Sequence, residues 1–212
     1  MHPVRALVRN GLWLALIAAW PAALPAMQPP ARADFSGETA SEQARTMADW
    51  VVAGGDSQGL PFLIIDKAEA RVFAFDARGV LVRSAPALLG LARGDVSPPG
   101  IGSKRLSEIT PAERITPAGR FAASLGRNLA GQTILWIDYD SALSLHRVVT
   151  TNRAEQRLQR LASPGAGDNR VSYGCINVPA DFYDEVVEPL FGPADGIVYI
   201  LPEGAPSPSA RG

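Results

Sequence analysis

The spacing of apolar residues changes along the chain and divides it into segments. Between residues 40 and 51 apolar positions recur every three or four residues, and residues 39–42 form a capping-box sequence with Thr39 as the cap. Gly54 and Gly55 interrupt this pattern, so it predicts one amphipathic helix that ends at these glycines. From residue 62 onward the period falls to two, which is typical of strands with one buried face.

Several β-rich segments follow, separated by turn residues. Residues 62–66 and 71–76 predict an antiparallel hairpin. Further strands are predicted at residues 121–124, 133–137, 144–149 and 196–201, and helices from Asn152 and at residues 180–191. Residues 92–117 are rich in Gly, Pro and Ser and predict a long loop, which we call the flap. The pattern predicts a mostly β domain with peripheral helices.

The first 33 residues have the character of an export signal. Arg5 and Arg9 precede an apolar run at residues 11–26 that is too short and too rich in proline for a stable membrane span. Ala33 ends a small-x-small cleavage site, Ala26 is an earlier candidate, and an uncleaved anchor is the alternative. Export places the protein in the periplasm or cell envelope. The expected segments are a signal peptide at 1–33, a helical lead at 34–59, the main domain at 60–202 and a disordered tail at 203–212.

Composition narrows the classes of function. The chain of 212 residues has 20 Lys and Arg against 21 Asp and Glu, and loss of residues 1–33 removes three basic residues and no acidic ones. A mildly acidic chain is a poor candidate for nucleic-acid binding. Beyond residue 33 the sequence contains one histidine and one cysteine, which is too few soft ligands for a convincing metal site. No metal and no cofactor are therefore expected.

These two residues, His146 and Cys175, are the strongest candidates for chemistry. A lone cysteine in an exported protein has no intramolecular disulfide partner, so it is either a buried apolar residue or a reactive thiol. Gly174 directly precedes it and leaves the backbone open to a substrate carbonyl. His146 is the one base of near-neutral pKa beyond the signal. This pattern favours a thiol nucleophile with a histidine base over an inert cysteine and a structural histidine.

The sequence around the cysteine, Ser172-Tyr173-Gly174-Cys175-Ile176-Asn177, resembles the Ser/Thr-x-Gly-Cys-hydrophobic-Asn signature of the YkuD-type L,D-transpeptidases. That family has a histidine on an upstream strand, as this chain has His146. Residues 65–76 are similar to its first hairpin, residues 116–121 to its Thr-Pro-x-Gly-x-Phe motif, and residues 178–184 to the segment after its cysteine. The resemblance covers residues 60–202 and implies a β-sandwich or barrel catalytic domain.

Three features differ from the family pattern. Many members have histidine at the position of Tyr173, and many have Gly-Thr at the positions of Arg147 and Val148. The stretch between His146 and Ser172 is also longer than is usual in the family.

The predicted helix in this longer stretch carries three arginines on one face, namely Arg153, Arg157 and Arg160, opposite Leu158 and Leu161. The arginine face is either solvated surface or a site for the carboxylates of a stem peptide.

The resemblance implies a cysteine L,D-transpeptidase that acts on the tetrapeptide stems of peptidoglycan. His146 accepts the proton of Cys175, the thiolate attacks the carbonyl before the terminal D-alanine, and a thioester forms as the amine leaves. The backbone N–H groups of Gly174 and Cys175 are the expected donors to the oxyanion.

The neighbouring polar residues have two interpretations each. Tyr173 either lines the donor site or packs, Ser172 either orients the imidazole or caps a turn, and Asn177 either supports the site or forms a turn. Asp138 and Asp140 lie upstream of His146, but the predicted turn between them and the histidine leaves them without an assigned role.

The sequence leaves the acyl acceptor open. A second stem peptide, a lysine of an envelope protein, a D-amino acid or water can resolve the thioester, and water makes the protein an L,D-carboxypeptidase.

The class of function also has alternatives. A non-catalytic peptidoglycan-binding domain is the alternative from another class, and it need not lower its cysteine pKa. A sortase-like enzyme needs an arginine soon after the cysteine, whereas none follows Cys175 before Arg211. A papain-like protease has the cysteine before the histidine.

Overall fold

A computed structural model describes residues 31–204 of the chain. Residues 1–30 of the predicted signal peptide and residues 205–212 of the predicted tail lie outside the described residues. The ten strands of the described part are β1 (Phe62–Asp66), β2 (Arg71–Phe75), β3 (Leu81–Pro86), β4 (Leu89–Gly90), β5 (Gly119–Arg127), β6 (Thr133–Asp138), β7 (Leu143–Arg147), β8 (Arg170–Ser172), β9 (Ile176–Val178) and β10 (Gly196–Ile200). Its α-helical segments are α1 (Glu42–Gly54), α2 (Arg157–Ala162), α3 (Ala180–Phe182) and α4 (Glu188–Phe191).

Eight of these strands form one sheet in the order β3-β2-β1-β10-β5-β6-β7-β9. The pairs β1–β10 and β7–β9 are parallel, and the other neighbours are antiparallel. Leu88, which follows β3, exchanges backbone hydrogen bonds with Asn177 of β9. The two edges of the sheet therefore meet, and the sheet curls into a nearly closed barrel. This architecture confirms the predicted mostly β fold with peripheral helices.

The alternation of side chains in the strands produces a core on each face of the sheet. In β1, Leu63 and Ile65 belong to the main core inside the curl, whereas Phe62 and Ile64 belong to a second core beneath α1. The segment α3–α4 contributes its apolar side chains to the main core. Burial of aliphatic and aromatic side chains on both faces is the main force that stabilises the sheet.

Helix α1 confirms the predicted lead helix, with a different cap. Ser41, not Thr39, is the N-cap, and its Oγ accepts a hydrogen bond of 3.0 Å from the Ala44 N–H. The same hydroxyl donates to Asp66 of β1, so the cap also connects the helix to the sheet. The helix ends as predicted, because Gly55 takes the left-handed conformation that a glycine adopts without strain.

The predicted helix after Asn152 is interrupted. Asn152 caps a 3-10 turn at Arg153–Glu155, and Gln156 then takes a left-handed conformation with φ of 49°. The α-helix consequently begins only at Arg157, and its changed phase leaves Leu158 60% exposed rather than buried. The predicted helix at residues 180–191 contains a π-helical turn at Tyr183–Val187, followed by Pro189, which has no N–H to donate.

The flap contains three 3-10 turns and is fixed at its base by Lys67. The side chain of Lys67 is fully buried, and its Nζ donates to the carbonyls of Gly94 and Thr116 and to Asp95 Oδ1, at 2.6, 2.9 and 2.7 Å. Glu203 lies beside Lys67 and forms an ion pair with Arg170. Glu203 is thus part of the folded domain, although the predicted tail begins there.

Among the helices at residues 31–204, none has both the length and the apolar content that a membrane crossing requires.

Candidate active site

The parallel pairing of β7 with β9 brings His146 and Cys175 together. Leu145 pairs with Ile176 and His146 with Asn177, so Cys175, one residue before β9, lies beside Ser144. Leu145 points into the main core. Side chains alternate along a strand, and Ser144 and His146 therefore both point to the opposite face.

Cys175, His146 and Ser144 line one cleft of about 620 Å³ on this face. The Cys175 Sγ lies 3.5 Å from Ser144 Oγ and 3.4 Å from the Ala142 carbonyl oxygen. The sulfur therefore has a hydroxyl that can donate to a thiolate and a carbonyl that can accept from a thiol.

The pKa values of the pair are shifted towards each other. Burial acts to raise the pKa of the Cys175 thiol, but the His146 imidazole and Ser144 lower it by more, so it lies below its ordinary value. Burial acts to lower the pKa of His146, while Cys175 and the Arg147 carbonyl raise it, and the result lies above the ordinary histidine value. Both shifts favour a thiolate next to an imidazolium.

The imidazole is oriented by backbone. His146 Nδ1 lies 2.7 Å from the carbonyl oxygen of Arg147. A carbonyl oxygen can only accept, so Nδ1 carries the hydrogen and Nε2 is the nitrogen that can take a proton. The guanidinium of Arg147 forms ion pairs with Asp184 and Glu188, and these contacts fix the residue that orients the base.

The turn before Cys175 requires glycine at position 174. Gly174 has a φ of +131°, and a Cβ there would lie 2.8 Å from the carbonyl oxygen of Ile115 in the flap. Thr116 Oγ1 donates to the Gly174 carbonyl at 2.7 Å and accepts from the Gly90 N–H at 2.8 Å. The flap thus supports the turn before Cys175 directly.

Ser172 and Asn177 hold the same turn from the other side. Ser172 Oγ donates to the Cys175 carbonyl at 2.6 Å, and Asn177 Nδ2 donates to it at 3.2 Å. Ser172 contacts the turn and not the imidazole, as its capping interpretation predicts. The Gly174 N–H donates to Ser172 Oγ at 3.1 Å, and this bond competes with the oxyanion role expected of Gly174.

Tyr173 lies on the flap side of Cys175. Tyr173, Gly174 and Cys175 line a second, narrow cavity of about 80 Å³ together with flap residues that include Lys104. The guanidinium of Arg114 stacks on the Tyr173 ring, 3.9 Å from its centre. Tyr173 therefore packs against Arg114, as one interpretation predicts, and it lines the narrow cavity next to Cys175 rather than the cleft of about 620 Å³.

Two of the three arginines of the predicted face are turned towards the protein, whereas Arg153 is exposed. Arg157 is 10% exposed, and it donates to Asn177 Oδ1 at 2.7 Å and pairs with Glu155 at 2.6 Å. Arg160 donates to the backbone carbonyls of Glu155 and Asp168. The helix break at Gln156 turns these two side chains towards the protein, where Arg157 supports Asn177 and Arg160 holds the turn that contains Asp168.

The two upstream aspartates do not orient His146. Asp138 accepts hydrogen bonds from the N–H groups of Asp140 and Ser141 and from the Ser141 hydroxyl, so it closes the β6–β7 turn. Among residues 31–204, no group of three or more His, Cys, Asp or Glu side chains is placed to hold a metal ion.

Sequence reasoning gave no role to Ser144, to Arg114 or to Thr116, although Thr116 begins the Thr-Pro-x-Gly-x-Phe motif at residues 116–121. The strand pattern was sufficient to place Ser144 beside His146, because Ser144 stands two residues before it in a predicted strand and so shares its face. The contacts of Thr116 and Arg114 with the nucleophile's turn depend on how the flap folds back, and no local pattern reports that.

No protein-family model matches the sequence, and a search against curated proteins found no match. A comparison with solved structures found matches to L,D-transpeptidases. The L,D-transpeptidase LdtMt1 in complex with imipenem matches at 16% identity and a TM-score of 0.39, over 66% of this chain and 58% of that one. An L,D-transpeptidase from Xylanimonas cellulosilytica matches at 16% identity and a TM-score of 0.39, over 67% of this chain and 60% of that one. The catalytic domain of the E. faecium L,D-transpeptidase matches at 15% identity and a TM-score of 0.31, over 66% of this chain and 95% of that one. The chain spans less than two thirds of the length of the first two structures.

Proposed function

We propose that the protein is a cysteine L,D-transpeptidase that acts on the tetrapeptide stems of peptidoglycan in the cell envelope. The observation that carries this proposal is the placement of the Cys175 sulfur beside Ser144 and His146, with the thiol pKa lowered and the histidine pKa raised. A cysteine that served only packing would have its thiol pKa raised by burial.

In the proposed reaction, His146 Nε2 takes the proton of Cys175 and the thiolate attacks the carbonyl carbon before the terminal D-alanine. His146 returns the proton to the nitrogen as the C–N bond breaks, D-alanine leaves, and a thioester remains on Cys175. An acceptor amine then attacks the thioester and gives its proton to His146. The thiolate leaves, and His146 reprotonates it.

The oxyanion in this scheme is stabilised first by the Cys175 N–H. The Gly174 N–H contributes only if it releases Ser172 Oγ, which accepts from it in the resting site. Ser172 and Asn177 fix the Cys175 carbonyl and so hold the peptide unit that precedes β9.

The two cavities that adjoin Cys175 suit two partners. The cleft of about 620 Å³ is large enough for a peptide donor, whereas the flap-side cavity of about 80 Å³ holds only a small group. We assign the donor stem to the cleft and the attacking amine, or water, to the flap side. Resolution by water makes the same site an L,D-carboxypeptidase.

Mass spectrometry of defined peptidoglycan fragments tests this proposal. Wild-type protein incubated with disaccharide-tetrapeptide should release D-alanine and give either a cross-linked dimer or a tripeptide, which separates transfer from hydrolysis. The Cys175→Ala protein should give neither product, and the Ser124→Ala protein, altered two strands from Ser144 on the same face, should match the wild type. A folded wild-type protein that binds the fragment but leaves it unchanged would support the non-catalytic binding domain instead.

A carbapenem is a second probe of the thiol. One of the similar structures is a complex with imipenem, and a lowered thiol pKa favours attack on such a reagent. We expect one inhibitor mass on the wild type and none on Cys175→Ala.

A further inference from the structure

A stacked pair of aromatic rings lies at the edge of the catalytic cleft. The rings of Trp136 and Tyr139 are 4.8 Å apart between centres and inclined by 23°. Tyr139 is 69% exposed, whereas aromatic side chains usually bury most of their surface. The outer face of this pair is therefore available to a ligand.

Two features fix the position of the Trp136 indole. Trp136 pairs directly with Ser144 across β6 and β7, and it lines the same cleft as Cys175. Its indole also occupies space that only a glycine leaves open on β5, since a Cβ on Gly126 would lie 2.6 Å from Trp136 Cδ1. The aromatic pair is thus a preformed surface that continues the catalytic cleft.

The distance to the nucleophile matches the length of a stem peptide. Trp136 stands on β6, Tyr139 follows the end of this strand, and Cys175 directly precedes β9, two strands from β6 in the order β6-β7-β9. Two strand spacings amount to about 10 Å. Three extended residues span at most about 10 Å. If the carbonyl of the third stem residue lies at Cys175, the sugar to which the stem is attached reaches the aromatic pair.

The chemistry of the surface suits that sugar. A pyranose ring presents a face of weakly positive C–H groups, which pack well on the negative face of an aromatic ring. The Gln132 side chain lines the same cleft, and its amide N–H groups can donate to hydroxyl and N-acetyl oxygens, whereas Asn128 and the Thr133 hydroxyl are bonded within the protein. We propose that Trp136 and Tyr139 form a saccharide subsite that binds the N-acetylamino sugar carrying the donor stem. This inference rests on the proposed function.

Comparison of two donors tests the subsite. The wild type should use a disaccharide-tetrapeptide with a kcat/KM about 3- to 10-fold above that of the free tetrapeptide, the range expected for one aromatic contact. The Tyr139→Ala variant should lose this preference, and Tyr139→Phe should keep it because the ring remains. Trp50→Ala, which removes a 53% exposed aromatic from α1 outside the cleft, should leave both rates unchanged.

Equal kcat/KM values for the two donors in the wild type, or a preference that survives in Tyr139→Ala, would overturn the subsite. A wild type that turns over neither donor defeats the proposed function, and binding then decides the subsite separately. In Cys175→Ala, an N-acetylglucosamine disaccharide should shift the NMR signal of the Trp136 indole N–H. Absence of that shift, or its persistence in the Tyr139→Ala double variant, would also overturn the inference.

Discussion

The reactivity that we assign to Cys175 depends on few groups. Burial alone would raise the thiol pKa and leave the sulfur protonated near neutral pH. His146 and Ser144 oppose that effect from the next strand, one through its imidazole and the other through its hydroxyl. Ser144 is therefore a component of the site rather than a neutral strand residue.

Replacement of Ser144 tests this assignment. Ser144→Ala should raise the pKa of Cys175 and slow its alkylation below that pKa by about 10- to 150-fold, since a hydrogen bond to a charged group contributes about 1.5–3 kcal/mol. The measurement is the rate of reaction with iodoacetamide as a function of pH, with Ser124→Ala as the matched control. An unchanged pH profile in Ser144→Ala would show that the hydroxyl does not act on the sulfur.

Arg157 connects helix α2 to Asn177 and changes the pKa of His146. The positive charge of Arg157 lowers the pKa of His146, so Arg157→Gln should raise that pKa further above its ordinary value. The same change removes the bond to Asn177 Oδ1 and should cost about 1.5–3 kcal/mol of unfolding free energy. NMR titration of His146 and urea unfolding measure the two effects. Arg153→Gln is the control. If both variants give the same His146 pKa and the same unfolding free energy, Arg157 acts only as a solvated surface residue.

At the scale of elements, the flap is held by a buried cation. Lys67 binds both ends of the flap, and Thr116, at one of those ends, bonds to Gly174 in the nucleophile's turn. Burial acts to raise the pKa of Asp95, but Lys67 and the Glu203 N–H lower it below its ordinary value. The contribution of Asp95 to stability is thus present above about pH 4 and is lost as the pH falls through the lowered value.

Lys67→Met tests the role of this clamp. The variant leaves buried carbonyl oxygens without a donor, and we expect it to lose about 2 kcal/mol or more of unfolding free energy. Hydrogen exchange should increase across residues 92–117 more than in β1 or β2. Uniform loss of protection, with no excess in the flap, would contradict a clamp.

The elements that sequence patterns predicted are those formed by local alternation. Helix α1, the β1–β2 hairpin and the strand bearing His146 were predicted because their apolar residues repeat with a clear period. The motif around Cys175 singles out this residue as a candidate nucleophile for a similar reason, since its residues are consecutive. The prediction of which side chains share a face in the helix after Asn152 was wrong. The left-handed conformation of Gln156 interrupts the helix and changes the direction of the side chains that follow. The clamp and the supports of the turn join residues far apart in sequence, so only the tertiary fold reveals them.

At the scale of the whole molecule, the segment before α1 secures the second core. Asp34 pairs with Val80, and Phe35 packs edge-on against Phe73 and Phe75 with centre distances of 5.7 and 5.1 Å. Cleavage after Ala33, one of the predicted sites, retains these contacts.

Phe35→Ala should therefore destabilise the domain by about 3–5 kcal/mol, the usual cost of removing a buried phenylalanine. Thermal unfolding measures this loss. A chain that starts at Asp34 should unfold at nearly the same temperature as one that starts at Ala31, whereas a chain that starts at Glu38 should resemble Phe35→Ala. Equal stability of all these forms would show that the segment does not belong to the core.

The curled sheet places Cys175 and His146 in a single cleft, and the central claim is that Cys175 forms an acyl-enzyme with His146 as the base. The most direct test is intact-protein mass spectrometry after brief exposure to disaccharide-tetrapeptide and an acid quench. Wild-type protein should carry the fragment minus D-alanine on Cys175, and His146→Ala should form this adduct about 10²–10⁴-fold more slowly. Release of D-alanine by the Cys175→Ala protein, or a folded wild type that neither gains mass nor releases D-alanine, would contradict the account.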